Sequence, residues 1–195
     1  MKQNKLKTKD IITVTLLTLI NVVIFFSTSM LYATPITVLL MPVVLSLLNG
    51  IVFFILGTKV KKRGAIFIYC VIMGVLGAYI PYVSAYVITG LVAEIILAKT
   101  GYGSMKGLLP SYIIIQVAAS FGSTFYPYMI ALDALVAAHG DLGGRESVIK
   151  AAEMLTSGGF IFVLIGVVVA AIMGGLIGSR IVKKHIVTMK NTKVL

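Results

Sequence analysis

Residues 59–107 read KVKKRGAIFIYCVIMGVLGAYIPYVSAYVITGLVAEIILAKTGYGSMKG, and this stretch decides the fold. A basic cluster, Lys59 to Arg63, and a second basic loop, Lys99 to Lys106, bracket a segment in which residues 64–93 carry no charge. Gly77, Pro81 and Gly90 punctuate it, with the aromatic cluster Tyr79, Tyr82 and Tyr86 between them. A bilayer is the solvent such a segment needs. Lysine and arginine flanking membrane spans stay on the cytoplasmic side, so both clusters belong on one face and an even number of crossings separates them. Zero crossings would leave the apolar residues in water; two crossings, turning near Pro81-Tyr82, satisfy both conditions. Each is short, about 16 residues or ~24 Å, against ~30 Å of hydrocarbon. A hairpin that shallow belongs inside a bundle, beside a protein-lined cavity.

Composition agrees with this reading. The chain has 195 residues, 59% of them hydrophobic and 12% charged, with a mean hydropathy of +1.07, which is the profile of a multi-pass membrane protein. The net charge of +11 lies in four short clusters at segment ends, a placement that speaks for topological anchoring and contact with anionic lipid rather than for nucleic acid. The one cysteine, Cys70, sits in an apolar segment; it can form no internal disulfide and supports no metal set.

The remaining segments follow in order. Lys2, Lys5, Lys7 and Lys9 precede an uncharged run from Ile11 to Thr58, too long for one crossing and divided at Pro35, because proline removes a helix donor and restricts the residue before it. Leu31 at the minus-three position and a full span directly after Ala33 argue against signal cleavage there. The predicted spans are 11–30, 36–57, 65–80, 83–98, 108–132 (entered through Pro110) and 158–179. The polar segment Asp133 to Gly159, with Asp133, Asp141, Glu146 and Glu153 against Arg145 and Lys150, has no basic excess, fits the outer face, and carries an amphipathic helix from Arg145 to Leu155 with Val148, Ile149, Ala152 and Leu155 on its apolar side. The expected fold is therefore a single all-α domain of six transmembrane helices with both termini cytoplasmic, in a cell membrane.

A few residues stand out chemically. Glu94 is the only acid within a predicted span, where an acid costs roughly 2.5–3.5 kcal/mol on insertion scales; it either pairs at the interface near Lys99 or contacts a partner or neighbouring helix. Ser84, Tyr86, Thr89, Ser120, Ser123, Thr124, Tyr126 and Tyr128 fall at similar depth in spans four and five, where they either pack helices or line a ligand pocket. Asn21 and Gln116 lie deeper, placed for bonds between helices. Gly174 and Gly178 have the spacing that lets another backbone approach. His139, Asp141 and Ser147 lie on a loop with no nucleophile elbow, and His185 lies in a basic tail. The Gly101 to Gly107 loop lacks the spacing and hydroxyl of a phosphate loop. No catalytic, metal or cofactor site is expected, and any transport draws its energy from elsewhere.

With these residues located, the chain resembles the Trep_Strep family of bacterial integral membrane proteins, regarded as substrate-binding S components of energy-coupling factor (ECF) transporters. The resemblance rests on Thr58-Lys59-Val60-Lys61-Lys62, on Thr89-Gly90-Leu91-Val92-Ala93-Glu94 leading to Lys99-Thr100-Gly101-Tyr102-Gly103-Ser104, and on Gly174-Gly175-Leu176-Ile177-Gly178 followed by Lys183-Lys184-His185. It implies a six-helix bundle that captures a small solute in an outward-facing pocket and works with a membrane-embedded coupling subunit and two ATPase subunits. Such S components are thought to topple in the membrane to deliver their cargo. Many carry an Ala-x-x-x-Ala pattern in span one for docking on the coupling subunit; here no alanine precedes Ala33, and Thr15, Thr18 and Asn21, with Glu94, are the candidate docking residues in its place.

The resulting expectation is a solute-binding importer subunit taking a vitamin, cofactor precursor or similar metabolite. Tyr82, Ser84, Tyr86, Thr89, Ser120, Ser123 and Tyr126 are its candidate ligand contacts, enclosed by the loops around Tyr32, Tyr82 and Asp133 to Gly159. The rivals are a membrane scaffold or assembly factor with no solute pocket, and a membrane hydrolase using Ser147 or His139.

Overall fold

The computed structural model describes residues 5–28, 31, 34–138 and 144–184, and the described residues form helices and connecting turns with no strand. In order they are α1 (Thr8–Ser27), α2 (Pro35–Lys59), α3 (Ala65–Leu76), α4 (Ile80–Thr100), α5 (Met105–Ser120) continued by a π-helical stretch (Phe121–Ile130), α6 (Leu132–Ala138), α7 (Gly144–Met154), a short linker (Leu155–Gly159) and α8 (Phe160–Val182). Tyr32, Ala33, His139, Asp141 and His185 lie outside the described residues.

Five helical stretches are long and apolar enough to cross a membrane: α1, α2, α4, α5 with its π-helical continuation, and the stretch that includes α8. The third predicted span, 65–80, is shorter than expected. α3 has 12 residues, about 18 Å of helix against ~30 Å of hydrocarbon. The turn after it also differs from the sequence expectation: it falls at residues 77–79, not at Pro81-Tyr82, and Ala78 takes a left-handed φ of 48°. Proline is accommodated in the first turn of a helix, where its missing N–H would have no partner anyway, so Pro81 opens α4 instead of breaking the chain. Pro110 likewise lies inside α5, not at its entrance.

Sequence sets the local boundaries. α2 opens with Thr34, whose Oγ1 accepts the Thr37 N–H while Thr37 Oγ1 accepts the Thr34 N–H, a reciprocal cap followed by Pro35 in the first turn. At the start of α1 the Asp10 carboxylate accepts the Lys7 N–H at 2.8 Å and pairs with Lys62 Nζ at 2.6 Å. One acid thus caps α1 and ties it to the loop between α2 and α3.

Packing centres on α2 and α8, which run parallel: Val43 lies against Gly166, Leu47 against Gly174, and Ile51 and Phe54 against Gly178. A Cβ on Gly50 would stand 2.7 Å from the Gly174 carbonyl carbon, so the two backbones touch with no side chain between them. Tyr69, Tyr112, Phe53, Phe54 and Leu108 fill the main core. α7 buries Val148, Ala151 and Ala152 against Val38, Phe125 and Tyr128, forming a second cluster at the end of the bundle where α2 begins. The predicted amphipathic helix is present with one face corrected: Ile149 is exposed and Ala151 is buried, because the inward face follows 148, 151, 152 and 155.

The helix directions collect Lys59, Lys62, Lys99, Lys106 and Arg180 at one end of the bundle, since they stand at or beside the last turns of α2, α4 and α8 and the first turns of α3 and α5. Lys61 packing on Gly103 and Glu94 bonding to Gly64 join these loops directly. α6, α7 and the Gly158 turn, whose φ is +104°, occupy the other end.

Candidate binding cavity

Two cavities share four wall residues, Phe25, Met73, Tyr82 and Ser123. The wider, about 190 Å³, opens between the last turns of α1 (Val22, Phe25, Phe26) and α3 (Met73, Leu76, Gly77) and the aromatic start of α4. The narrower, about 20 Å³, lies deeper between α2, α4 and α5. The position of Tyr82 follows from local sequence: its ring covers the face of Gly77, where a Cβ would collide with it. Tyr86, one turn on, packs on Tyr82 with ring centroids 4.9 Å apart and hydroxyls 3.5 Å apart.

The inner cavity is polar at one spot. Ser46 Oγ donates to the Pro42 carbonyl at 2.7 Å and lies 3.4 Å from Gln116 Oε1, and Tyr112 OH donates to the Ser46 carbonyl at 2.6 Å. The Tyr112 bond pins α5 to α2. Gln116 Nε2 and Asn49 Oδ1 are both fully enclosed and have no hydrogen-bond partner among the described residues. Buried polar atoms are nearly always paired; the adjoining space of about 20 Å³ has room for a water beside these two, and Asn21 Oδ1 and Ser111 Oγ are buried without a partner elsewhere. None of the described residues lining either cavity is charged.

The structure brings together Tyr82, Tyr86, Ser120 and Ser123 of the residues named from sequence; all four line the inner cavity. Ser120 Oγ is engaged with the Gln116 carbonyl at 2.8 Å, and Ser123 Oγ with Thr124 Oγ1 at 3.3 Å. Ser84 and Tyr126 are placed elsewhere, on an open apolar groove of about 750 Å³ on the flank between α4 and α5. Thr89 is buried with its hydroxyl bonded to the Ala85 carbonyl. That flank groove is the larger recess, but it is open, so the inner pair is the more enclosed site. Asn49 was not singled out from the sequence. Its signal was there, as the one carboxamide in the uncharged run of the second span.

The four residues named for docking are mostly turned into the fold. Thr18 and Asn21 are wholly buried; Thr18 Oγ1 bonds the Val14 carbonyl at 2.7 Å, and Asn21 Nδ2 donates to Tyr69 OH at 3.0 Å. Thr15 is half-buried. Glu94 does not pair with Lys99: Oε2 accepts the Gly64 N–H at 3.0 Å and the Tyr102 hydroxyl at 3.1 Å, and Oε1 accepts the Phe67 N–H at 3.3 Å. It caps the N-terminus of α3 from a neighbouring helix. Among the described residues no group of three or more His, Cys, Asp or Glu gathers where it could hold a metal.

No curated protein and no solved structure matches the chain. A family model described as "Hypothetical bacterial integral membrane protein (Trep_Strep)" matches residues 8–187, nearly the whole length. A match of that extent, over a bundle of apolar helices, places the protein: the chain belongs to the Trep_Strep family of bacterial integral membrane proteins.

Proposed function

We propose that this chain is the solute-binding S component of an ECF-type importer, a six-span protein with both termini in the cytoplasm that captures a small metabolite such as a vitamin or cofactor precursor. A separate coupling subunit and two ATPase subunits supply the energy, and the chain itself is not an enzyme. The observation that carries the reading is the cavity of about 190 Å³ between Phe25, Met73, Tyr79, Tyr82 and Ser123, open at the end of the bundle away from the basic loops. Counting α3 as a crossing gives the sixth span, because Gly64 and Gly77 sit at different ends of the bundle; the bilayer adjusts to so short a helix by thinning.

Orientation is tested by cysteine labelling, which is simple here because Cys70 is buried. Glu153→Cys is expected to react with an impermeant maleimide on intact cells, and Lys61→Cys only after permeabilisation. The reverse pattern would overturn the topology. Proteoliposomes holding this chain alone are expected to retain a small molecule but to show no ATP-driven accumulation. Robust ATP-dependent uptake without other subunits would contradict the assignment, and a membrane scaffold would retain no small molecule at all.

A further inference from the structure

We infer that the wider cavity takes an uncharged solute built on one or two flat rings, soluble in the bilayer, and admits it sideways from the outer leaflet between the end of α1 and the α3–α4 turn. This deepens the receptor reading above, on which it rests, by naming the solute class and its route. The walls around Phe25, Met73, Leu76 and Tyr82 offer aromatic, aliphatic and thioether surface, which favours a flat apolar body. An apolar cavity of about 150 Å³ is enough for benzene, and this one has about 190 Å³. The polar groups on its lining are the hydroxyls of Ser123, Tyr79 and Tyr82, and no lining residue is charged. Hydroxyls suit one neutral polar substituent, whereas burying an ion without a counter-charge is strongly unfavourable.

The mouth faces lipid. Phe26 stands about 24 Å along α1 from Asp10, and Tyr82 about 25 Å along α4 from Lys99, both short of the ~30 Å of hydrocarbon. α2 rises about 36 Å from Lys59 to Pro35, so the bundle is lower on the cavity side. Every residue from Val75 to Ile80 is exposed, yet the Tyr79 hydroxyl is the one polar side-chain group among them. A turn facing water favours Gly, Asn, Asp and Ser; here Ala78 holds the left-handed φ of 48° that Gly or Asn usually takes. Phe26 and Ile80, beside the mouth, are 67% and 83% exposed. Where the bilayer thins around α3, Tyr79 is the side chain suited to meet the headgroups, and Phe26, Val75 and Leu76 stay among acyl chains. α1 forms the movable side of this entrance. Beyond the Asn21–Tyr69 bond, the Ser27 and Thr28 hydroxyls bond back to α1 itself, and its last turns rest on the cavity through Val22, Phe25 and Phe26.

The test uses the full chain in phosphatidylcholine nanodiscs and two fluorescent probes, naphthol and naphthalenesulfonate, one flat body with an uncharged or a charged head. The chain has no tryptophan to overlap their emission, and partition into empty nanodiscs is subtracted. Naphthol is expected to bind saturably and about tenfold more tightly than the sulfonate. Ser123→Phe and Val22→Phe, which fill the cavity from different walls, are each expected to weaken naphthol binding about tenfold, and Ser84→Phe, in the flank groove, to change nothing; either filling variant suffices should the other not fold. Bound naphthol is expected to be quenched by phospholipid brominated on its acyl chains and not by iodide in the water, and the reverse overturns the sideways route. Sulfonate that binds as well as naphthol, and is lost on the same substitutions, overturns the uncharged class while the receptor reading stands. Loss of binding on Ser84→Phe alone sinks the proposal, as does a phospholipid retained in native mass spectrometry that naphthol does not displace. If naphthol does not bind the wild-type chain, the flat-ring proposal falls. The receptor reading falls with it only when native mass spectrometry also finds no retained small molecule.

Discussion

Gly174→Ala is expected to destabilise the bundle by about 3 kcal/mol, at the upper end of what overpacking usually costs, and Gly174→Leu to prevent recovery of folded, monodisperse protein. The reason is that the obstacle is backbone. A Cβ at Gly174 would collide with the Leu47 carbonyl oxygen and lie 3.0 Å from that of Ser46; across the contact, one at Gly50 would meet the Gly174 carbonyl carbon and Cα. No rotamer change relieves such a clash, so α2 and α8 must separate. Helix pairs in lipid have no hydrophobic drive to compensate, only packing and interhelical hydrogen bonds. Gly166→Ala is the control: its Cβ would meet only the Val43 side chain, at 3.0 Å, and the expected cost is below about 1 kcal/mol. Thermal unfolding in detergent, read by tryptophan-free methods such as circular dichroism, measures both; a Gly174→Ala protein as stable as wild type would refute the packing argument. The effect reaches the cavity as well. Ser46, Leu47, Asn49 and Gly50 share one and a half turns of α2, so displacing α2 from α8 moves Asn49 relative to Gln116 and, on the proposed receptor reading, should weaken solute retention in a variant that still folds.

The close contact at Gly174 was half legible in the sequence: the Gly-x-x-x-Gly spacing signalled a close helix neighbour, but spacing cannot say which helix, and the answer, α2, depends on the packing of the whole bundle. The order of apolar segments, the division at Pro35 and the gathering of basic residues at one end were readable because each follows from hydropathy and charge alone. Turn positions were less so. Sequence puts the hairpin turn at Pro81 and the entrance of span five at Pro110, yet both lie inside helices, since a proline near a helix start sacrifices few or no hydrogen bonds. Part of the cavity could have been sorted further by geometry. Tyr82 and Tyr86 are a turn apart and face one way, while Ser84 lies about 200° round the helix from Tyr82 and therefore opens on the flank groove. Asn49 was legible on the same ground as Asn21 and Gln116, since a carboxamide in an apolar span is itself a signal.

Glu94→Leu is expected to loosen α3 specifically, lowering global stability by about 2–3 kcal/mol, the range for leaving partly buried donors unpaired. α3 begins at Gly64, which holds a φ of +89° and has no side chain with which to cap the helix. The first N–H groups of any helix lack internal partners and carry partial positive charge, and a 12-residue helix has little length over which to absorb frayed ends. Glu94 answers this from α4 by accepting the Gly64 and Phe67 N–H groups while Tyr102 holds it in place. Glu94→Gln keeps one acceptor oxygen and should cost about half as much, and Tyr102→Phe, which leaves no buried donor unpaired, less than about 1 kcal/mol. Hydrogen exchange locates the effect: faster exchange confined to residues 64–68 in Glu94→Leu is the expected result. A docking role for this carboxylate predicts the opposite, with stability and exchange unchanged and only partner association lost. Because α3 carries Met73, Leu76 and Gly77 into the wider cavity, the cap at one end of a short helix governs the cavity wall at the other, and on the proposed receptor reading the Glu94→Leu chain should retain a solute less well although Glu94 lines neither cavity.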